Sequence, residues 1–294
     1  MSKIKVAAAQ YPIGQFESFE LWQRHISNWV ESASVAGAKI VLFPEYASME
    51  LVSVLLVQKQ LSSVDSLQDQ VLALNQLLPQ VKACFVELAQ KYQVVLVAPS
   101  MPVVDPRYAL PVNRVFVYSP QGELGYQDKF HMTRFENESW KIGRGDEECR
   151  VFEYFGVSFA VSICFDVEFA FFPQLAAKKG AQILLAPSCT DSLRGMNRVH
   201  VGARARALEN QLYVVVSQTV GDAPWSEAVD MNKGYAAFYS TCDLCFPEDG
   251  VLSLGPAHQA QWLFSELDLS LLQEVRERGQ VFNFKENSQY TWNK

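Results

Sequence analysis

The chain has 294 residues, of which 49% are hydrophobic and 19% charged, an ordinary globular composition with enough length for a large buried core. Its formal charge of −7 at pH 7 argues against nucleic acid and anionic membranes as partners, because both repel an acidic protein. No apolar stretch approaches the roughly 18 residues that cross a bilayer. Composition therefore favours small molecules or other proteins as partners.

The cysteines predict a reducing compartment. Six are spread thinly along the sequence, at positions 84, 149, 164, 189, 242 and 245. A chain of this length does not need disulfide staples, so we expect reduced thiols. The first apolar run is interrupted by Gln10 and Pro12 and lacks the apolar core of a signal peptide. We therefore expect a soluble, cytoplasmic protein.

The beginning of the chain predicts a β-α-β unit. Residues 4–10 form a short apolar run typical of a buried strand, and apolar side chains between 21 and 30 recur at helical spacing. Gly37 ends that helix. Residues 40–43 predict a second strand, which Pro44 stops immediately before Glu45. A carboxylate is thus expected at the end of an apolar strand.

The next segment predicts a lysine at a second strand end. Residues 61–92 have few helix breakers besides Pro79 and predict two helices, followed by a β-branched strand at 94–98. A strand at 115–118 then enters a Ser-Pro-Gln-Gly turn, and the returning segment runs directly into Lys129. This pattern predicts a hairpin that delivers the lysine.

A second predicted hairpin, at 151–163, ends at Cys164. The other predicted elements are helices at 172–179, 196–210 and 269–278 and strands at 183–185, 213–218, 236–240, 251–254 and 262–267. Neither an internal repeat nor a linker-like run divides the sequence. We therefore predict one mixed α/β domain over residues 1–294.

Three chemically active side chains thus lie near strand ends. By residue type alone Cys164 is weak evidence, because free cysteines are usually buried structural residues. Its position favours a functional role, since strand-to-helix junctions often carry nucleophiles and helix starts stabilise thiolates. Glu45 and Lys129 could converge on the same sheet edge. The structural alternative is a strand-end salt bridge between them.

The motifs around these residues resemble those of the nitrilase superfamily of carbon-nitrogen hydrolases, in its amidase-like branch. Residues 43–45 (FPE) are similar to the family's glutamate motif, 126–131 (YQDKFH) to its lysine motif, and 163–166 (ICFD) to its cysteine motif. The resemblance covers essentially the whole chain. Supporting matches lie at 143–146, 186–188 and 204–210. The order of the motifs makes the resemblance specific.

The resemblance implies an α/β fold of the nitrilase type, a four-layer α-β-β-α sandwich. It also implies a homodimer or larger homo-oligomer, with the C-terminal tail from about 280 to 294 as a candidate for subunit contacts. The implied partner is a small-molecule amide substrate. Neither a metal nor an organic cofactor is implied.

For the reaction, the resemblance implies a glutamate-lysine-cysteine set. Cys164 attacks the carbonyl carbon, and Glu45 takes the thiol proton and later returns it to the departing amine. The Lys129 ammonium and the Phe165 backbone N–H stabilise the oxyanion. Water then hydrolyses a thioester on Cys164. The expected substrate is a linear amide, either an ω-amide or an N-carbamoyl compound.

The family also has a second glutamate after the lysine, and Glu136 matches it better than the alternative, Glu138. The candidate substrate-pocket residues are His131, Glu138, Glu168 and Ser188. For His131 a hydrogen-bonded structural role is at least as plausible.

The sequence departs from the family pattern at three places. Phe165 replaces a tyrosine that commonly follows the cysteine, residues 167–168 (VE) replace a frequent arginine-containing pair, and residues 218–219 (QT) replace a common asparagine. The backbone donor at Phe165 survives the replacement and only a contact from a tyrosine hydroxyl is lost, so the implied mechanism is unchanged. The three departures do indicate that the substrate of a relative cannot be transferred to this chain.

Three rival functions share this fold: an acyltransferase that passes the thioester to an amine or phospholipid, a nitrile hydrolase, and a catalytically silent binding protein. The intact Glu45, Lys129 and Cys164 disfavour the last. Cys242 and Cys245 have the spacing of redox or zinc sites, but a second pair does not follow. Their role stays open.

Overall fold

The computed structural model of the protein describes residues 3–62 and 66–289. Its strands are β1 (Lys3–Pro12), β2 (Ile40–Leu42), β3 (Val95–Val97), β4 (Met101–Val103), β5 (Val112–Ser119), β6 (Gly122–Asp128), β7 (Val151–Tyr154), β8 (Val157–Val161), β9 (Ile183–Ser188), β10 (Tyr213–Asp222), β11 (Met231–Asn232), β12 (Ala237–Tyr239), β13 (Val251–Leu254) and β14 (Gln261–Asp268). Its α-helices are α1 (Phe19–Val35), α2 (Leu51–Val57), α3 (Leu67–Leu74), α4 (Leu78–Tyr92), α5 (Phe171–Lys178), α6 (Leu193–Asn210), α7 (Leu269–Arg278) and α8 (Asn283–Gln289).

The strands form two sheet layers, which are connected through β1. The first part of β1 lies between β2, in parallel, and β14, antiparallel, with Val6 opposite Ile40 and Ser265. At its end β10 takes the place of β2, with Gln10 opposite Gln218, while β14 still pairs on the other side. The continuous strand order is β4-β5-β3-β2-β1-β10-β9-β8-β7. The long strand β1 therefore carries the chain from one layer into the other.

Side-chain alternation along β1 separates two apolar cores. Ala7, Ala9 and Tyr11 belong to a core that also contains Trp22 and Ile26 of α1. The intervening residues Ile4, Val6 and Ala8 belong to a second core, which contains the strands of the other layer together with residues of α5 and α6. Successive strand residues point to opposite faces, so one sheet layer serves both cores.

Helices cover both outer faces. Helices α1 and α4 pack on the first layer, and α5 and α6 pack on the second, so the order of layers is α-β-β-α. The fold class predicted from the sequence is confirmed. Burial of each large apolar side chain, such as the fully buried Trp22, contributes about 1.5–3 kcal/mol to the free energy of unfolding.

Several predicted elements differ from the structure in detail. The two helices predicted within 61–92 are α3 and α4, and residues 63–65 of that range lie outside the described chain. Pro79 lies in the first turn of α4, where a missing N–H is tolerated. In the predicted C-terminal contact segment, α8 packs on its own chain, where Asn287 donates to Asn210 at 2.8 Å. Residues 290–294 lie outside the described chain.

Candidate active site

Cys164 lies at a sharp turn between a strand and a short helix. Strand β8 ends at Val161, and a 3-10 helix, Cys164–Glu168, begins at the cysteine itself. The backbone of Cys164 has φ +48°, in the left-handed region, which costs a non-glycine residue about 1–3 kcal/mol. Its thiol donates to the carbonyl oxygen of Cys189 at 3.6 Å. The strand-end position predicted from the sequence agrees with this geometry.

Glu45 follows β2 and is almost fully buried, with 1% of its surface exposed. Its Oε1 accepts hydrogen bonds from Lys129 Nζ at 2.7 Å and Asn113 Nδ2 at 2.9 Å. Its Oε2 accepts from the backbone N–H of Cys189 at 3.0 Å. Glu45 and the Cys164 thiol therefore share the main chain of Cys189 as a common neighbour.

Lys129 follows β6 and lies between two carboxylates. Its Nζ donates to Glu45 Oε1 at 2.7 Å and to Glu136 Oε1 and Oε2 at 2.8 and 2.7 Å. Both partners are buried, as the lysine is. The salt bridge expected between strand ends is therefore present, but it belongs to a buried network that also includes a second carboxylate.

Glu136 is fixed by a turn that the sequence does not reveal. Its Oε1 accepts from the Tyr46 hydroxyl at 2.7 Å, and its Oε2 accepts from the backbone N–H and the hydroxyl of Thr133, each at 2.9 Å. Glu138 instead pairs with Arg134 at 2.8 Å on the surface. Of the two glutamates that the sequence leaves open, Glu136 contacts Lys129.

Burial controls the protonation of this network. Burial raises the pKa of Glu45 to about 7, against the attraction of Lys129 and with the repulsion of Glu136. Burial also raises the pKa of Glu136, but Lys129 outweighs it and leaves that pKa below its usual value. Burial lowers the pKa of Lys129, yet the two glutamates outweigh it and leave that pKa well above its usual value. Lys129 and Glu136 are therefore charged at neutral pH, where Glu45 titrates.

The thiol of Cys164 is protonated at rest. Burial raises its pKa well above the usual value, and the nearby Glu45 carboxylate raises it further, while Lys129 opposes both. The sequence suggests that a helix start stabilises a thiolate, but the helix here has only five residues and the pKa of the thiol is raised, with burial as the largest cause. A nearby base is therefore needed for this thiol to react as a thiolate.

A cavity of about 660 Å³ opens over the network, and Glu45, Lys129, Glu136 and Cys164 line it. Its remaining walls combine aromatic and charged side chains, among them Tyr46, Phe135, Trp140, Phe165, Arg134, Glu168, Asp191, Arg198, Glu227 and Asp230. This volume suits a small molecule. The structure thus brings Glu45, Lys129, Cys164, Phe165 and Glu136 together on one cavity.

The other predicted pocket residues are distributed differently. Glu168 lines the cavity and pairs with Arg198 at 3.3 Å. Among the described residues, the cavity lining does not include His131, Glu138 or Ser188. The His131 ring contacts Asp166 at 2.9 Å, and the buried Ser188 hydroxyl donates to a carbonyl of its own strand. The geometry gives these two side chains structural partners.

Sequence reasoning misses Asn113 and Cys189. Asn113 faces Lys129 across the β5–β6 hairpin, where the lysine N–H donates to the Asn113 carbonyl at 2.8 Å. The apolar pattern predicts a strand that starts only at Val115, so the polar residue falls outside it. Cys189 follows β9 directly, and this position is the signal that could find it, since the three recognised residues also follow strands.

The described residues give no sign of a membrane span or a metal centre. Within 3–62 and 66–289, helices with both the length and the apolarity needed to cross a membrane are absent. Over the same part of the chain, histidine, cysteine and acidic side chains do not gather in groups of three or more that could hold a metal ion. Cys242 and Cys245 are free, exposed thiols.

Comparison with known proteins decides the family. The profile described as carbon-nitrogen hydrolase matches residues 5–277, which is nearly the whole chain. The chain belongs to the carbon-nitrogen hydrolase family. The motif resemblance to the nitrilase superfamily is thereby confirmed.

Individual hydrolases and a solved structure are also similar to this chain. The chain is 29% identical over 283 residues to the probable hydrolase YhcX of Bacillus subtilis, covering 96% of this chain but only 53% of that protein. It therefore spans about half the length of that relative. It is 26% identical over 302 residues to the omega-amidase NIT2 of Danio rerio, covering 100% of this chain and 98% of that protein. The crystal structure of Saccharomyces cerevisiae Nit3, a member of branch 10 of the nitrilase superfamily, superposes with a TM-score of 0.72 at 20% identity, covering 94% of each chain, and shares the fold.

Proposed function

We propose that this protein hydrolyses the carbon-nitrogen bond of a small linear amide, an ω-amide or an N-carbamoyl compound, with Cys164 as the nucleophile. The observation that carries the proposal is the buried Glu45–Lys129–Glu136 network beside Cys164 at one cavity. Buried charge is costly, and a purely structural ion pair does not need a thiol and a cavity beside it. The full-length similarity to an omega-amidase supports the amide as substrate.

In the first half of the proposed reaction, Glu45 accepts the proton of the Cys164 thiol while the sulfur attacks the carbonyl carbon. The carbonyl oxygen becomes an oxyanion, next to the Lys129 charge and the Phe165 backbone N–H. Because the Lys129 donors already contact carboxylates, the lysine acts mainly through its charge. Glu45 then returns the proton to the nitrogen as the C–N bond breaks, which releases ammonia or an amine.

In the second half, Glu45 activates a water molecule that attacks the thioester. The C–S bond breaks, Cys164 regains its proton, and a carboxylic acid leaves. Glu136 accepts hydrogen bonds from Lys129, Tyr46 and Thr133 and therefore keeps the lysine in place. The same thioester could be passed to another acceptor, so the fate of the acyl group separates hydrolysis from acyl transfer.

The proposal is tested by trapping the acyl group. The purified protein is incubated with dicarboxylic acid monoamides, N-carbamoyl amines, simple aliphatic amides and aliphatic nitriles, then quenched in acid and digested for peptide mass spectrometry. We expect an acyl adduct on Cys164, with release of ammonia or amine and the free acid. Turnover with the adduct on Cys189, which also lines the cavity, would refute the assignment. Hydroxamate formation with added hydroxylamine, without free acid in its absence, would favour an acyltransferase.

The pH dependence of activity gives a further prediction. Glu45 must be ionised to accept the thiol proton, and burial raises its pKa to about 7. We therefore expect kcat/KM to fall about tenfold per pH unit below about pH 7 and to level off above it. Steady-state rates measured from about pH 5 to pH 9 check this. An acid limb near pH 4.5, the ordinary value of a glutamate, would contradict the proposed base.

A further inference from the structure

Asn113 contacts three members of the network. It lies in β5 and is fully buried. Its Nδ2 is 2.9 Å from Glu45 Oε1 and 3.4 Å from Glu136 Oε1, and its main-chain oxygen accepts the Lys129 N–H at 2.8 Å. Asn113 therefore contacts the side chains of Glu45 and Glu136 and the main chain of Lys129.

The side-chain amide of Asn113 makes hydrogen bonds with described residues through its Nδ2 end. Its Nδ2 faces two carboxylates, whereas its Oδ1 is buried without a hydrogen-bond partner among the described residues. The opposite amide orientation would place Oδ1 against those carboxylates, so the hydrogen-bond network fixes the orientation. Most buried side-chain polar atoms have at least one hydrogen-bond partner. Among the described residues, the side chain of Asn113 therefore makes its hydrogen bonds through its donor end.

The surroundings of Glu45 explain why this donor matters. The titratable groups that face Glu45 are Lys129, Glu136, Tyr46, Cys164 and Cys189. Of these, Lys129 is the cation, and it also contacts both oxygens of Glu136. Asn113 adds a second donor to the Glu45 oxygen that Lys129 contacts, without adding charge.

We propose that Asn113 is a positioning residue whose Nδ2 donor keeps Glu45 ionised and oriented beside Cys164. This inference rests on the function proposed above. Asn113 does not contact the reacting atoms. It acts through Glu45, because a donor to the charged form of a carboxylate favours that form.

The test measures how fast iodoacetamide alkylates Cys164 as a function of pH, by peptide mass spectrometry. Alkylation needs loss of the thiol proton, so its rate reports on Glu45 without knowledge of the substrate. Replacing Asn113 by Asp removes the donor at constant size and places a third carboxylate beside Glu45. We expect the acid limb of the alkylation rate to move up by at least about one pH unit. The exposed Cys242 serves as an internal standard for the reagent.

Two further variants keep the test decisive. Asn113→Ser retains a shorter donor, and we expect a shift in the same direction but smaller, even if Asn113→Asp does not fold. Asn210→Asp is the matched control, because Asn210 is similarly buried and also donates to a glutamate, Glu209, at 3.2 Å. The control is expected to leave the acid limb in place, whatever its effect on the melting temperature.

The outcomes separate this inference from the proposed function. If the Glu45→Gln variant and the wild-type protein show the same pH profile of Cys164 alkylation, Glu45 is not the base and the proposed function fails. If Glu45→Gln moves the acid limb to higher pH but Asn113→Ser and Asn113→Asp leave it in place, only the role of Asn113 is overturned. A fall in melting temperature without a shift of the acid limb also overturns that role, since it shows a merely structural asparagine.

Discussion

The Cys164→Ala variant is expected to lose amide hydrolysis by roughly 10⁴-fold or more in kcat, because the acyl group then has no sulfur to which it can transfer. The fold should persist. The thiol is protonated at rest, so its removal does not leave an unpaired buried charge. We expect the free energy of unfolding to change by no more than about 2 kcal/mol. Ammonia release and urea unfolding measure the two effects.

A matched cysteine variant separates nucleophilicity from packing. Cys84→Ala changes a buried cysteine of α4 that belongs to the core shared with α1 and is expected to leave kcat unchanged. Undiminished turnover by Cys164→Ala would remove the thioester from the mechanism. Equal losses in the two variants would indicate damage to packing rather than loss of the nucleophile.

The Lys129→Met variant is expected to lose both activity and stability. Removing the ammonium leaves Glu45 and Glu136 buried near each other without the cation between them. Breaking a buried ion pair from one side costs about 3–5 kcal/mol of unfolding free energy. Losing the charge beside the oxyanion lowers kcat by roughly 10²–10³-fold. Urea unfolding at neutral pH and steady-state kinetics measure these effects.

Two further variants serve as comparisons for the stability and activity lost in Lys129→Met. Lys82→Met breaks a half-exposed ion pair with Glu123, at 2.8 Å, and should cost under about 1 kcal/mol. Adding Glu136→Gln to Lys129→Met removes one of the stranded carboxylates and should recover part of the stability but none of the activity. A stability loss as small as that of Lys82→Met would show that Glu45 and Glu136 are not charged together in the folded protein.

The alternation and breaker patterns of the sequence predict most of the fold. The β-α-β opening, the two hairpins and helix α7 follow from apolar periodicity and turn residues. Helix α2 escapes this kind of prediction because it is apolar on nearly every side and shows no period. Strand β4 has three residues with a central proline and gives no strand pattern.

The site is predictable where a single residue follows a strand and less so where distant segments meet. Glu45, Lys129 and Cys164 are each marked locally by a strand end. Glu136 and Glu138 are two residues apart, and only the turn that directs one of them inward separates them. Asn113 reaches Glu45 from 68 positions away, a contact that a local pattern does not encode. The cytoplasmic location, the single domain and the homo-oligomer stay predictions.

The main chain and the side chain of Cys189 have different neighbours. Glu45 receives its backbone N–H and the Cys164 thiol donates to its carbonyl oxygen, so both contacts are independent of the side chain. Cys189 is one of the residues that line the cavity, and its thiol donates to Asn232 Oδ1 at 3.4 Å. Because neither main-chain contact uses the side chain, we expect a substitution at position 189 to keep both contacts and to change the part of the cavity wall that this residue forms.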